Sequence, residues 1–264
     1  MNVLLTGAAG RIGTMLRERL PDYGVALRLF DREPLAGGIV GDVADPVALD
    51  EAFTGDLDAV VHLAGQPTEA PWTRVREDNI EGAYQLFEAA RRHGVGRVVY
   101  ASSNHAVGFT ARGFEDLPAD TQPRPDTLYG VSKVFGEALA RYYVERYGLQ
   151  VACLRIGTCS TTPPDYRSLA TWLSPDDCAR LVHAALIAPD LTYALVWGVS
   201  ANTRRWWSLD AGRAIGYEPL DDADSYIGQL PAERDQPHDS DDLVGGGFTT
   251  PGFGIDEVLA RDDA

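Results

Sequence analysis

Along the first 156 residues, short continuous apolar runs alternate with apolar stripes of helical period. Residues 2–6 form the first run and lead directly into Gly7-Ala8-Ala9-Gly10-Arg11-Ile12-Gly13, after which Met15, Leu16 and Leu20 begin a helical stripe. Residues 25–30 make a second strand ending at Asp31, and 38–40 a third, followed by Asp42-Val43 and a helix opening near Pro46. The pattern then predicts a strand at 58–63, a long helix at 72–93, a strand at 97–101, a helix at 126–147 and a strand at 150–156. Strands alternating with helices at this spacing specify a parallel sheet with helices on both faces. Right-handed crossovers give it the doubly wound order 3-2-1-4-5-6.

Beyond residue 156 the pattern loosens through 157–172. A helix follows at 175–187, then a strand at 193–197 and a short helix at 209–215. This is too little chain for an independent second domain. The expectation is one α/β domain spanning 1–264: a Rossmann-like core over 1–156, and a remainder, 157–264, that is mostly a small C-terminal substrate lobe over the carboxyl ends of the strands. Residues 231–240, poor in apolar side chains, read as a surface excursion before the turn at Gly245-Gly246-Gly247-Phe248.

The 264 residues are 45% hydrophobic, enough for a full core. No apolar run reaches the roughly 18 residues of a membrane span, and no basic start is followed by a long apolar stretch, so a soluble cytoplasmic protein is expected. A net charge of −16 repels polyanions, which argues against a nucleic-acid partner. Cys153, Cys159 and Cys178 match no metal spacing and are odd in number, so they read as small buried hydrophobes. Composition adds one oddity: of 23 Lys plus Arg residues, the only lysine is Lys133. Where arginine serves every other positive charge, a single lysine points to a position that needs a compact ammonium.

The glycines follow the spacing G-x-x-G-x-x-G between the first strand and the first helix. There Gly7 and Gly10 let the backbone approach a pyrophosphate, and Gly13 lets helix and strand pack closely. Asp31, closing the second strand, is placed to accept both ribose hydroxyls of an adenosine and to repel a 2′-phosphate, which favours NAD over NADP. Arg32 next to it argues the other way, since an arginine there can serve the phosphorylated form. Asp42 and Val43 lie along the adenine edge in this reading, unless Asp42 simply caps the following turn. Leu63, Ala64 and Gly65 pass under the nicotinamide side.

Tyr129 and Lys133 are four residues apart and share one helix face. An adjacent ammonium lowers a phenol's pKa toward that of a usable base, and Ser103, at the end of the fifth strand, can orient a substrate oxygen toward it.

The glycine run, Asp31, Ala101-Ser102-Ser103 and Tyr129-x-x-x-Lys133 together resemble the extended short-chain dehydrogenase/reductase superfamily, over about the first 156 residues. Further segments are similar to those of uronate dehydrogenases, in order and almost to the chain's end. They are Ala101-Ser102-Ser103-Asn104-His105, Arg124-Pro125-Asp126-x-Leu128-Tyr129, Arg155-Ile156-Gly157-Thr158-Cys159, Tyr166-Arg167 with Thr171-Trp172, and Val196-Trp197-Gly198-x-Ser200-Ala201-Asn202. The resemblance implies Ser103, Tyr129 and Lys133 as the catalytic set. It implies an NAD site formed by Gly7, Gly10, Arg11, Ile12, Gly13, Asp31, Asp42, Val43, Leu63, Ala64, Gly65, Asn79, Tyr129, Lys133 and Ile156. Ser103, Asn104, His105, Tyr129 and Thr158 would meet the sugar, and Arg167 would grip a uronate carboxylate. The family's serine in the loop after the fourth strand falls at Pro67, so its hydroxyl is lost unless Gln66 or Thr68 replaces it, which leaves the exact sugar open.

The expected reaction is oxidation of the anomeric C1 hydroxyl of a free hexuronic acid, glucuronate or galacturonate, to the aldarolactone. Segments 31–35 and 70–72 also look like an archaeal NAD-dependent glucose-6-phosphate dehydrogenase, and a nucleotide-sugar epimerase or dehydratase shares the Tyr/Lys pair. The two long helices would pair copies into a homodimer or a multiple of one.

Overall fold

In a computed structural model, which describes residues 1–113, 116–230 and 242–262, strands and helices alternate as the apolar pattern requires. The strands are β1 (Asn2–Thr6), β2 (Ala26–Asp31), β3 (Ile39–Val40), β4 (Ala59–His62), β5 (Arg97–Ser103), β6 (Gln150–Ile156), β7 (Thr158–Cys159), β8 (Trp172–Leu173) and β9 (Tyr193–Gly198). The main sheet is parallel with order β3-β2-β1-β4-β5-β6-β9, and β7 and β8 form a small second sheet. The expected six-strand order is therefore present but extended by β9, so the later part of the chain completes the main sheet besides building over it. Val3, Leu4, Leu5, Val60, Val61, Val98 and Val99 are almost wholly buried, as a sheet covered on both faces demands.

The helices are α1 (Arg11–Arg19), α2 (Pro46–Ala52), α3 (Trp72–Val75), α4 (Gly82–His93), α5 (Leu128–Tyr147), α6 (Ser168–Thr171), α7 (Pro175–Ile187) and α8 (Asp210–Ala214), with Ile255–Asp262 last. One apolar cluster packs α1 and α7 against one sheet face through Leu16, Leu20, Leu181 and Val182. The other packs α2, α4 and α5 against the opposite face through Leu49, Leu86, Phe87 and Ala140. Among the described residues no helix is long and apolar enough to cross a membrane.

Two boundaries depart from the apolar pattern for identifiable reasons. The helix expected over 72–93 is interrupted by a π-helical segment, Arg76–Glu81, which periodicity cannot register because one wide turn barely shifts the apolar stripe. The helix expected from 126 begins at Leu128, because the Thr127 hydroxyl accepts from the Gly130 amide at 3.0 Å as its N-cap, leaving Asp126 outside. The excursion expected at 231–240 lies outside the described residues. The turn expected at 245–248 is a short 3-10 segment, Gly246–Thr249.

Candidate active site

The carboxyl ends of β1, β2 and β4 form one end of the site. Gly7 has φ 71°, and a Cβ there would lie 2.6 Å from the Ala64 amide nitrogen, so the β1–α1 turn and the strand end after β4 touch only because the residue is glycine. Gly13 is equally obligatory, since a Cβ there would collide with the Gly7 carbonyl. Arg11 and Ile12 open α1 just beyond. Gly7, Asp31, Arg32, Gly41, Val43, Ala64 and Gly65 line a cleft of about 110 Å³. Leu63 precedes Ala64 at the end of β4 and packs against the core.

Asp31 is fixed by backbone: its Oδ2 accepts from the Ala9 amide at 2.7 Å and its Oδ1 from the Glu33 amide at 3.0 Å. Asp42 caps the following turn, its Oδ1 accepting from the Ala44 amide at 2.8 Å, and it pairs with Arg32 at 3.1 Å. Arg32 also pairs with Asp78, whose hydrogen bond is the main reason the guanidinium is held above its ordinary pKa. Asn79, on the π-helical segment, closes a ring of bonds: its Oδ1 accepts from the Gln66 amide at 2.7 Å, and its Nδ2 donates to the Gln66 carbonyl at 3.2 Å and to the Ser132 hydroxyl at 2.9 Å. Wide π turns recur at functional sites, and this one delivers Asp78 and Asn79 together. An adenosine with two free ribose hydroxyls and a pyrophosphate fits these groups: an immobilised carboxylate, a glycine turn and an open cleft between them.

The triplet expected to be catalytic sits at the end of β5 and the start of α5. Ser103, Tyr129 and Lys133 are all buried, and Lys133 Nζ donates to the Ala101 carbonyl at 3.0 Å while lying 5.4 Å from the Tyr129 ring centroid. Burial pushes the Tyr129 phenol up to about 12, partly opposed by its hydrogen bond with Ser103, and burial pushes the Lys133 ammonium down to about 8. In this low-dielectric setting desolvation of the phenolate is the largest effect on Tyr129. Behind the triplet, Arg155 and Glu137 form a buried pair at 2.7 Å, with Ser102 donating to Glu137 at 2.6 Å. The pair ties β5, β6 and α5 together, and removing one partner would cost about 3–5 kcal/mol by stranding the other charge.

The opposite wall comes from the later part of the chain. Asn104 Nδ2 donates to the Val244 carbonyl at 3.1 Å, and Arg167 Nη2 donates to the same oxygen, which brings Arg167 beside the strand end carrying Ser103. The Arg167 guanidinium lies 5.2 Å from the Trp206 ring centroid. His105 Nδ1 is hydrogen-bonded to Asp126 Oδ2 at 2.8 Å, and its ring lies 4.1 Å from Phe248 and 5.9 Å from Tyr129, centroid to centroid. Thr158 bonds Thr171 at 2.9 Å between hydroxyls, and Ile156 ends β6 one residue before Gly157. Residues anticipated for the cofactor thus gather at the ends of β1, β2 and β4, and those anticipated for the sugar at the ends of β5 and β6 and in the later chain, with Tyr129 and Lys133 on α5.

Comparison with known proteins gives this geometry a context. Residues 3–160 match the model of the NAD dependent epimerase/dehydratase family. The uronate dehydrogenase of Agrobacterium fabrum is 42% identical over 92% of this chain and 93% of its own length. The chain belongs to the NAD dependent epimerase/dehydratase family. Within it, a solved uronate dehydrogenase from Agrobacterium tumefaciens, a tyrosine-to-alanine mutant complexed with NAD, superposes with a TM-score of 0.86 at 42% identity, covering 94% of this chain and 96% of that one. The NAD-dependent glucose-6-phosphate dehydrogenase of Haloferax volcanii is 41% identical over 84% of this chain and 94% of its own length.

Three residues that pack against the candidate site were given no role from the sequence. Asp126 sits next to the Thr127 cap, and its side chain is fully buried against His105; an acid placed just before a capped catalytic helix was the available signal. Glu69 accepts from the Tyr129 amide at 2.7 Å, fastening the loop after β4 to the start of α5, and partial burial raises its carboxyl above the usual range. Asp78 carried no sequence signal, because nothing in periodicity reports a π turn.

Proposed function

We propose that this protein is an NAD-dependent dehydrogenase that oxidises the anomeric carbon of a free hexuronic acid, glucuronate or galacturonate, to the aldarolactone. The observation that carries this reading is the convergence of Ser103, Tyr129 and Lys133 at the strand ends, with Arg167 one shared carbonyl away from Asn104. When bound, NAD supplies the hydride acceptor for the C1 hydrogen and a positive ring beside the phenol. Gly7, Gly10, Gly13 and Asp31 would hold its pyrophosphate and adenosine, and Lys133 its nicotinamide ribose.

Ser103 donates to the C1 oxygen and aims it at Tyr129, whose phenolate removes the C1 hydroxyl proton. The Ser103 hydroxyl and the Lys133 ammonium stabilise that phenolate against the cost of burial. Asn104, His105 and Thr158 meet ring hydroxyls. Arg167 reads the carboxylate at the far end, where a bidentate fork fixes which carbon faces Tyr129. Pro67 removes one hydroxyl contact, and Gln66 and Thr68 beside it are the groups able to replace it.

The three buried free thiols fit a reducing cytoplasm. Exposed Tyr84, Val131 and Tyr142 on α4 and α5 offer a pairing surface for a homodimer, and light scattering that returns only monomer would exclude it. The test of activity is absorbance at 340 nm with NAD and a panel of free sugar acids, neutral sugars and sugar phosphates. Net NADH with glucuronate or galacturonate is expected. NADH with glucose-6-phosphate but not with the uronates would replace this reading with that of the Haloferax relative, and no net NADH with any free sugar would favour an epimerase.

A further inference from the structure

The arginine beside the ribose carboxylate is held on both of its forks. Arg32 Nε pairs with Asp42 Oδ2 at 3.1 Å and Nη2 reaches Asp42 Oδ1 at 3.4 Å. On the other side, Nη1 donates to Asp78 Oδ2 at 3.2 Å and Nη2 donates to Asp78 Oδ1. A guanidinium has five N–H donors in a fixed plane, and here Nη1 and Nη2 make three hydrogen bonds to the two carboxylates while Nε lies in ion-pair contact with Asp42. Asp78 is buried and comes from the π-helical segment, while Asp42 is half-exposed and itself fixed by the Ala44 amide. Asp31 and Arg32 both line the small cleft, and Arg32 is paired with the carboxylates of Asp42 and Asp78.

We infer that Asp78 and Asp42 are cofactor-selectivity residues, which pin Arg32 in a charge-compensated position and so deny it to the 2′-phosphate of NADP. The inference rests on the reading that this cleft holds the adenosine of NAD, and it goes beyond Asp31. An arginine next to a ribose site ordinarily recruits a phosphate through a bidentate fork. Here both forks are occupied and the local charge is negative, so an approaching phosphate dianion meets repulsion and no ready donor pair. Removing Asp31 alone leaves Arg32 pinned. NADP binding then requires a second change that frees a fork.

The experiment titrates NADH and NADPH into the protein, following nucleotide fluorescence, with no sugar present and no turnover. The wild type, Asp31→Ser, Asp31→Ser/Asp78→Asn and Asp31→Ser/Asp42→Asn are compared. Asp31→Ser should weaken NADH and gain little for NADPH. Adding Asp78→Asn should tighten NADPH by about tenfold or more over the single variant, the order expected of a charge-assisted bidentate contact. Asp42→Asn should act in the same direction, and its half-exposed position keeps the test usable if the buried Asp78→Asn variant folds poorly. Equal NADPH affinity in the single and double variants would overturn the inference. Failure of the wild type to bind NADH at all would instead overturn the NAD reading on which it rests.

Discussion

The two ends of the site each carry an arginine, and the two are held differently. At the nucleotide end Arg32 is clasped by the carboxylates of Asp42 and Asp78. At the sugar end Arg167 donates to the Val244 carbonyl and lies over the Trp206 ring. A guanidinium forked by two carboxylates has spent its attraction for an incoming anion. The lesson is that an arginine beside a ribose site is not by itself a phosphate site. Between these ends stands Lys133, whose task neither arginine geometry meets.

The sharpest way to break that picture is at the centre. Tyr129→Phe removes the phenol that bonds Ser103, and kcat should fall about 10³-fold, within the span of general acid–base effects. Steady-state NADH formation reads it, and a loss below tenfold would assign the base elsewhere.

Lys133→Arg comes next. It preserves charge but replaces a buried ammonium, bonded to the Ala101 carbonyl at 3.0 Å, with a planar group too large for the place. Activity should fall by about 10²-fold through kcat and the NAD KM together. A near-normal rate would mean that the single lysine has no special role.

Asp126→Asn tests whether the sugar end is positioned as firmly as the nucleotide end. The buried carboxylate holds His105 Nδ1 at 2.8 Å, which directs the other ring nitrogen toward the surface shared with Tyr129. The amide keeps the shape but weakens control of the ring's tautomer, so the sugar KM should rise about tenfold, with NADH binding unchanged. Loss of NADH binding to the same degree would show a merely structural role.

The smallest effect lies beneath the nucleotide end. His62, bonded to Thr6 at 2.8 Å, is pushed down to about 3 by burial first and by the charge of Lys133 second. The unfolded chain therefore takes up a proton near pH 6.5 that the folded one refuses. Stability from this group is full above pH 6.5 and declines as pH falls from there toward 3. His62→Gln should flatten that part of the acid-unfolding curve measured by urea titration at successive pH values. An unchanged curve would assign the acid sensitivity to other groups.

How much of this was legible in the chain follows the same division. The core strands and the glycine turn declare themselves locally, through continuous apolar runs and a spacing that only close backbone approach explains. Tyr129 and Lys133 were legible because helix geometry places residues four apart on one face. Asp78 was hidden by the π turn, and Asp126 stood in a recognised segment but drew no role because its partnership with His105 depends on a hydrogen bond rather than on apolar period. The sugar end was least legible, since Arg167 and Asn104 meet only through a carbonyl at Val244, far along the chain. β9 was legible as a strand, but its pairing with β6 joins segments about 40 residues apart and leaves no trace in a short apolar run.

The most direct test of the contrast between the two arginines is the sugar panel repeated on Arg167→Ala. If Arg167 reads the substrate carboxylate, kcat/KM for glucuronate or galacturonate should fall about 10²-fold, while any rate with the corresponding neutral hexose changes little. An equal loss for acidic and neutral sugars, or no loss for either, would contradict the account.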